Sequence, residues 1–137
     1  MALLIVRYLD QGAIRWGRLI SHAPSAAEAR IEVAPLKINA TTTASLIASF
    51  DAGELGEVEK PVSLKAMALL SPITSDATLV CQGLNYVSHA AEARHHERKQ
   101  NLFFAKASSS LTGPFSNIER PQDVQLLDYE VDRKSVV

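Results

Sequence analysis

The sequence lacks the features that mark several large classes of protein. A single cysteine among 137 residues excludes an internal disulfide and fits a reducing compartment. No cluster of cysteine and histidine has the spacing of a zinc centre. The formal net charge of −1 provides no basic surface for nucleic acid or an anionic membrane. The apolar run Met1–Val6 is too short to span a bilayer and has no basic residues before it. We therefore expect a soluble, cytoplasmic protein with neither a nucleic-acid nor a membrane partner.

The first part of the chain predicts a β-hairpin. Strand-forming residues fill Leu3–Tyr8 and Ala13–Ile20, and Asp10-Gln11-Gly12 supplies a turn between them. Side chains alternate between the two faces of a strand, so Trp16 and Arg18 should share one face.

A helix and a further strand are predicted after an ambiguous stretch. Residues 22–34 fit either the start of a short helix or a strand, and both interpretations stay open. The stretch 42–50 predicts a helix that is capped by one of its first two threonines and ends before Gly53. Alternating apolar residues then indicate one strand across 61–70.

The run from Cys81 to Glu92 carries the strongest candidate for catalysis. It begins as the end of an apolar strand, 78–81, and breaks at Gly83, which can take backbone angles that other residues avoid. A helix beyond the glycine would place His89 and Glu92, three positions apart, on one face. A carboxylate beside an imidazole orients the ring and stabilises its charged form, which suits a general base. The same spacing occurs in solvated neighbours on a surface helix, and that alternative stays open.

Three charged residues nearer the end of the chain are further candidates. Lys106 ends a predicted strand, 102–106, where it would either bind an anionic oxygen of a substrate or face solvent. Glu130 and Asp132 are two positions apart, so a strand would direct both carboxylates to one side, where a hard cation such as Mg²⁺ could bind.

Three segments resemble signatures of the fumarylacetoacetate hydrolase family and follow the family's order. Gly83-Leu84-Asn85-Tyr86 with His89-Ala90-Ala91-Glu92 resembles the first signature. Leu102–Lys106, followed by Ser109 and Gly113-Pro114, resembles the second. Asp128-Tyr129-Glu130-Val131 resembles the start of the family's metal-binding strand. The resemblance extends from near Leu69 to Val131.

The resemblance implies an α+β fold class that is mostly β. Residues 1–71 would form a small N-terminal α+β module, which the polar stretch Ser71–Asp76 joins to a catalytic domain. Residues 72–131 would be the truncated start of that domain, a mixed β-sandwich roll. Family members usually form homodimers, so we expect a homodimer for the intact protein.

The resemblance also implies a Mg²⁺-dependent enzyme, with Mn²⁺ or Ca²⁺ as alternative cations, that acts on a small anionic oxo acid. Glu130 and Asp132 would bind the metal, Lys106 would bind the substrate, and His89, oriented by Glu92, would take a proton from water. The main expectation is hydrolysis of a C–C bond in a β-dicarbonyl or 2-oxo acid. The alternative is a family isomerase or decarboxylase, of the 2-hydroxyhepta-2,4-diene-1,7-dioate isomerase or oxaloacetate decarboxylase type.

Residues 132–137 depart from the family pattern. The family has a second glutamate where this chain has Asp132, and continues into a long apolar strand. The hexapeptide Asp132–Val137 instead matches the translation of a common sequencing adapter, so we expect it to be non-native. A chain that ends there would lack the later metal ligands, and a catalytically inert fragment is therefore the competing expectation.

Overall fold

The structure is a computed structural model, and it describes residues 4–21, 23–54, 56, 60–83 and 101–127. The chain divides into two compact units. The first comprises residues 1–77 and 111–118, and the second comprises residues 78–110 and 119–137. The division into domains at residues 71 and 72 stays a prediction.

The first unit is built on a five-stranded antiparallel sheet. Its strands are β1 (Ile5–Asp10), β2 (Ala13–Leu19), β3 (Arg30–Pro35), β4 (Val62–Lys65) and β5 (Leu69–Leu70). They lie in the order β4-β3-β2-β1-β5, and every neighbouring pair is antiparallel. The stretch 22–34, left open by the sequence, therefore contributes a strand, and its described residues 23–29 form no helix.

The predicted hairpin is confirmed, and its turn shows why the local sequence suffices to form it. Asp10 pairs with Ala13, which leaves Gln11 and Gly12 as a two-residue loop. Both loop residues have positive φ, 48° for Gln11 and 83° for Gly12, as a type I′ turn requires. The backbone twist of this turn matches that of the flanking strands, so the turn sets the register of β1 against β2.

The prediction of one strand over 61–70 is wrong, because the chain crosses here from one edge of the sheet to the other. β4 and β5 are the two edges, yet only a 3₁₀ turn, Ala66–Ala68, joins them. Four strand spacings in a flat sheet span about 19 Å. The backbone from Lys65 to Leu69 reaches at most about 14 Å. The sheet must therefore curl until its two edges approach each other.

The core of the first unit fills one face of this curled sheet, called here the core face. Its buried cluster consists of Tyr8, Ile31, Val33, Ala66 and Leu69, and Tyr8 and Val33 are both 0% exposed. Ala66 belongs to the crossing turn, so the turn also closes the core. Burial of each large apolar side chain stabilises the fold by about 1.5–3 kcal/mol.

The predicted helix is confirmed as α1, Thr43–Asp51. Thr42 is its N-cap: the backbone N–H of Ser45 donates to Thr42 Oγ1 at 3.1 Å, and the backbone N–H of Thr42 donates to Ser45 Oγ at 3.0 Å. These two bonds form a capping box. It provides acceptors for the backbone N–H groups of Thr42 and Ser45, which have no carbonyl partner within the helix. Gly53, with φ of 72°, follows the C-cap, where a left-handed residue commonly ends a helix.

Two threonines hold the segment 71–74 against the start of α1. The backbone N–H of Thr43 donates to Thr74 Oγ1, and the backbone N–H of Thr74 donates to Thr43 Oγ1, both at 2.9 Å. The Thr43 hydroxyl lies 2.8 Å from the carbonyl oxygen of Pro72. Thr74 is 6% exposed, so the bonds satisfy polar groups that water does not reach. We call this arrangement the Thr43–Thr74 clamp.

The face of the sheet opposite the core, called here the outer face, holds the segments on either side of α1. Arg7 and Trp16 are direct cross-strand partners on this face. Trp16 is 4% exposed, and its indole N–H donates to the carbonyl oxygen of Ala40 at 3.0 Å. Arg7 Nη1 donates to the carbonyl oxygen of Ser71 at 3.4 Å. One strand pair therefore contacts both the segment that enters α1 and the segment of the Thr43–Thr74 clamp.

The second unit contains an antiparallel pair, β6 (Leu79–Gly83) and β7 (Leu102–Lys106), and a 3₁₀ turn at Ser108–Ser110. The strand predicted at 102–106 is confirmed, and the one predicted at 78–81 is confirmed with a later end. With seven strands and one α-helix in its described residues, the chain is mostly β, as the predicted class requires. Within those ranges, no helix has the length and apolar character needed to cross a membrane.

Candidate functional site

Lys106 is the one predicted site residue that the structure describes. His89 and Glu92, the predicted acid–base pair, lie outside the described residues, as do the predicted metal ligands Glu130 and Asp132. The roles of these four residues therefore stay predictions. The geometry that follows concerns the strand pair that carries Lys106 and flanks the segment of His89.

Lys106 lies on the same face of the β6–β7 pair as Cys81 and Phe104. Leu79 pairs with Lys106, Cys81 with Phe104, and Gly83 with Leu102. Paired residues share a face, as do residues two apart along a strand. We call the face that carries Lys106 the lysine face.

The ammonium group of Lys106 is held beside an aromatic ring. Its Nζ lies 5.8 Å from the centroid of the Phe104 ring, within the range of about 6 Å for a cation–π interaction. The side chain is half-buried, in contrast to a lysine that simply extends into solvent. The ring favours a limited set of positions for the ammonium. The sequence analysis did not predict Phe104 as a neighbour of the Lys106 ammonium. Phe104 is two residues before Lys106 in a predicted strand, and this spacing alone places both side chains on one face.

The predicted break at Gly83 matches the end of β6, but the glycine does not take the positive φ that its conformational freedom would allow. It is the last residue of β6 and is absent from the described glycines with positive φ. A Cβ at this position would lie 2.9 Å from Cδ2 and 3.3 Å from Cγ of Leu102. The glycine therefore lets the Leu102 side chain cross over β6.

The strand pair also limits how the predicted residues could meet. Gly83 and Leu102 are direct partners, so residues 84–101, which include His89 and Glu92, start and finish at that end of the pair. Lys106 is four residues further along β7, a distance of about 13 Å. A small substrate can contact both His89 and Lys106 only if residues 84–101 bring His89 back along the lysine face by about the same 13 Å.

The predicted metal ligands are chemically suited to a hard cation. Glu130 and Asp132 both offer carboxylate oxygens, which are the ligands that Mg²⁺ prefers. Mg²⁺ requires an octahedral shell, so two carboxylates would form part of its coordination. Between residues 4 and 127, the described side chains form no group of three or more His, Cys, Asp and Glu that could hold an ion.

The sequence was compared with models of known protein families and with known proteins. A family model described as "Fumarylacetoacetate (FAA) hydrolase C-terminal" matches residues 78–132. The matched range includes β6, β7 and all five predicted site residues. No solved structure matches the chain at a significant level.

Several curated proteins are similar to the chain. The mitochondrial oxaloacetate tautomerase fahd2 of Xenopus laevis is 34% identical over 76 residues, which are 56% of this chain and 24% of that protein. The mitochondrial oxaloacetate tautomerase Fahd2a of Rattus norvegicus is 31% identical over 96 residues, with 61% of this chain and 31% of that protein covered. An uncharacterised protein of Staphylococcus haemolyticus is 34% identical over 87 residues, with coverage of 63% and 28%. The chain spans about a quarter to a third of the length of these relatives. Residues 78–132 of the chain are therefore similar to the fumarylacetoacetate hydrolase family.

Proposed function

We propose that the chain belongs to an enzyme that moves a proton between the enol and keto forms of a small 2-oxo acid. The observation that carries this proposal is the similarity to proteins named oxaloacetate tautomerase, at 31–34% identity in frog and rat. The sequence analysis puts hydrolysis of a C–C bond first and a family isomerase or decarboxylase second. The names of these relatives favour the second.

The predicted acid–base pair suits a tautomerase. Tautomerisation transfers one proton between the enol oxygen and the carbon next to the one that bears this oxygen, and it consumes no water. His89 would take the proton from one of these atoms and return it to the other. Glu92 would hold the imidazole in the tautomer that presents an unprotonated nitrogen to the substrate.

Lys106 would fix the substrate through its carboxylate. An ammonium that pairs with a carboxylate forms a charge-assisted hydrogen bond, which is stronger than a neutral one. Phe104 would keep the ammonium on the lysine face when the substrate is absent, so less ordering is needed when it binds.

Glu130 and Asp132 would hold the divalent cation that the family implies. Mg²⁺ is the proposed ion, with Mn²⁺ or Ca²⁺ as alternatives, and when bound it would polarise the substrate's oxygens as a Lewis acid.

Three further features of the intact protein are proposals. They are the β-sandwich roll around β6 and β7, a homodimer, and a cytoplasmic location without nucleic-acid or membrane partners. The animal relatives are named as mitochondrial, which describes those proteins. Imaging a tagged copy of this protein in its own cells tests the location directly.

The proposal is tested by following the ultraviolet absorbance of enol oxaloacetate in the presence of the purified chain and Mg²⁺. We expect the enol to decay faster than in buffer. Lys106→Met should lower kcat/KM about 10- to 100-fold, because it removes a charged hydrogen-bond partner of the substrate. Lys65→Met is the matched control: this exposed lysine pairs with Glu28 at 2.6 Å in the first unit and should leave the rate unchanged.

Two results would contradict the tautomerase proposal. Enol decay equal to that in buffer would show that the chain is inert towards this substrate. Formation of pyruvate at the rate of enol loss, measured by NMR on the same sample, would instead indicate a decarboxylase.

A further inference from the structure

The first unit of the structure is made from two separate stretches of the chain. It comprises residues 1–77 and 111–118, so the stretch between them, 78–110, leaves the first unit and returns to it. That stretch belongs to the second unit, contains β6 and β7, and carries three of the five predicted site residues. How the first unit holds the two ends of 78–110 therefore bears on the predicted site.

The Thr43–Thr74 clamp holds the end at which 78–110 begins. Thr74 is 6% exposed and exchanges two bonds of 2.9 Å with Thr43, each from a backbone N–H to a hydroxyl oxygen. The backbone N–H of Ala77 donates to the carbonyl oxygen of Thr74 at 3.1 Å. This turn extends the fixed backbone from the clamp to the residue directly before 78. All of these bonds lie within the first unit.

Residues 111–118, called here the strap, hold the other end of that stretch. Phe115 of the strap is half-buried and packs against the core cluster of the first unit. A Cβ at Gly113 would lie 3.1 Å from the carbonyl oxygen of Leu69 and 3.5 Å from Cα of Leu70, so the strap lies directly against the backbone of β5. The core of the first unit is therefore completed by residues that follow β7 in the sequence.

Pairing of β6 with β7 brings the two held ends together. Leu79 pairs with Lys106, so the ends of β6 and β7 that connect to the first unit are neighbours. With the strands paired, only residues 78 and 107–110 lie between these strand ends and the held segments. Without pairing, the loop comprises the whole of 78–110, which is more than two doublings longer. Closing a flexible loop becomes about threefold less favourable with each doubling of its length, so pairing should favour binding of the strap about tenfold.

We propose that the strap couples the folding of the first unit to the pairing of β6 with β7. The coupling acts through the covalent connections of the chain and requires no contact between the units. Loss of the pairing lengthens the loop, weakens binding of the strap and withdraws Phe115 from the core. Conversely, any ligand that binds only the paired form of β6 and β7 stabilises the first unit. The coupling does not depend on the proposed tautomerase activity.

A disulfide across β6 and β7 tests the coupling. Cys81 is the chain's single cysteine and the direct partner of Phe104, so Phe104→Cys lets a disulfide join the two strands. The Cα atoms of such partners lie about 4.5–5.5 Å apart, within the range that a disulfide requires. Trp16, the single tryptophan, lies in the first unit, so its emission during urea denaturation reports the unfolding of that unit.

Oxidised and reduced samples of Phe104→Cys would be compared as monomers isolated by size-exclusion chromatography. We expect oxidation to raise the urea midpoint of the Trp16 transition by about 1–2 M, because a disulfide stabilises every part of a chain that unfolds as one. Equal midpoints in the two samples would show that the first unit unfolds independently of β6 and β7, and would overturn the proposal.

A variant with broken pairing should shift the midpoint in the opposite direction. Alternate residues of a strand donate to its partner, so replacing Phe104 and Ala105 together by proline removes at least one donor of β7. We expect this variant to unfold at a lower urea midpoint, again read from Trp16, than the control in which both residues are replaced by serine. Equal midpoints here would also overturn the proposal, and this comparison needs no disulfide.

A change within the strap shows whether the strap carries the coupling. Phe115→Ala removes the ring that packs against the core, so the oxidation shift of Phe104→Cys should fall to less than half in this background. Ile118→Ala is the matched control, because this strap residue is 63% exposed and should leave the shift unchanged. An undiminished shift in the Phe115→Ala background would place the coupling elsewhere and overturn the role of the strap.

Discussion

Replacing Gly17 by alanine would place one methyl group where the core face has no room for it. Gly17 lies on β2 and is buried. A Cβ there would lie 2.4 Å from Cγ1 of Val33, 2.9 Å from the carbonyl oxygen of Ala34 and 3.0 Å from Cε1 of Tyr8. Val33 and Tyr8 are both fully buried, and the Ala34 oxygen is backbone. None of these three atoms belongs to the free end of a flexible side chain, so the sheet itself must shift.

The expected cost follows from two opposing terms. Overpacking of a well-packed core costs about 1–3 kcal/mol. Alanine restricts the unfolded chain more than glycine does, which returns about 0.4–1 kcal/mol. The net loss in the free energy of unfolding should therefore be about 0.5–2 kcal/mol. For a domain of this size, a loss of 1 kcal/mol lowers Tm by about 4–8 °C.

Equilibrium denaturation in urea, followed through the emission of Trp16, measures this loss. Val33→Ala removes the nearest of the three atoms, so a double-mutant cycle tests the stated cause. The Gly17→Ala change should cost about 1 kcal/mol less in the Val33→Ala background than in the wild type. Equal costs in the two backgrounds, or a Gly17→Ala variant as stable as the wild type, would refute the crowding argument.

Three further changes test other parts of the structure. Thr42→Ala removes the N-cap of α1 and should cost about 1 kcal/mol, measured by urea denaturation, with the exposed Ala48→Ser as a control that should cost less. Thr74→Val keeps the shape of the side chain but leaves the Thr43 N–H without its acceptor, so it should cost about 1–3 kcal/mol; a neutral result would mean that the Thr43–Thr74 clamp contributes nothing. His89→Ala should remove most of any enol turnover while Mg²⁺ affinity, measured by calorimetry, stays nearly unchanged. Full turnover in that variant would exclude His89 as the base.

Elements that local chemistry determines were predictable from the sequence. The hairpin turn follows from Gly12 in a two-residue loop, and α1 follows from the Thr42 cap and Gly53. The strand that ends at Lys106 follows from its own β-forming residues. In each case, the residues that decide the structure lie within one turn or one strand of each other.

Features that depend on distant contacts were not predictable in the same way. The stretch 61–70 alternates like one strand, but its two ends pair with β3 and β1 at opposite edges of the sheet. The crowding at Gly83 depends on Leu102, which reaches it only through the register of β6 and β7. The alternation of apolar and polar residues within one segment indicates which of its residues lie on the same face of a strand. Which strands are neighbours in the sheet is known only from their pairing.

The short crossing at Ala66–Ala68 has a consequence for how the first unit forms during synthesis. β1 is made before its second partner, β5, which lies more than sixty residues further along the chain. Until Leu69 and Leu70 leave the ribosome, one edge of β1 has no strand to pair with, and Tyr8 has no Leu69 against it. The hairpin of β1 and β2 must therefore wait with apolar residues exposed, and pairing between strands so distant in sequence is slow. A chain stalled before residue 69 should be captured by chaperones that bind exposed apolar strands, whereas one released after residue 118 can complete the unit.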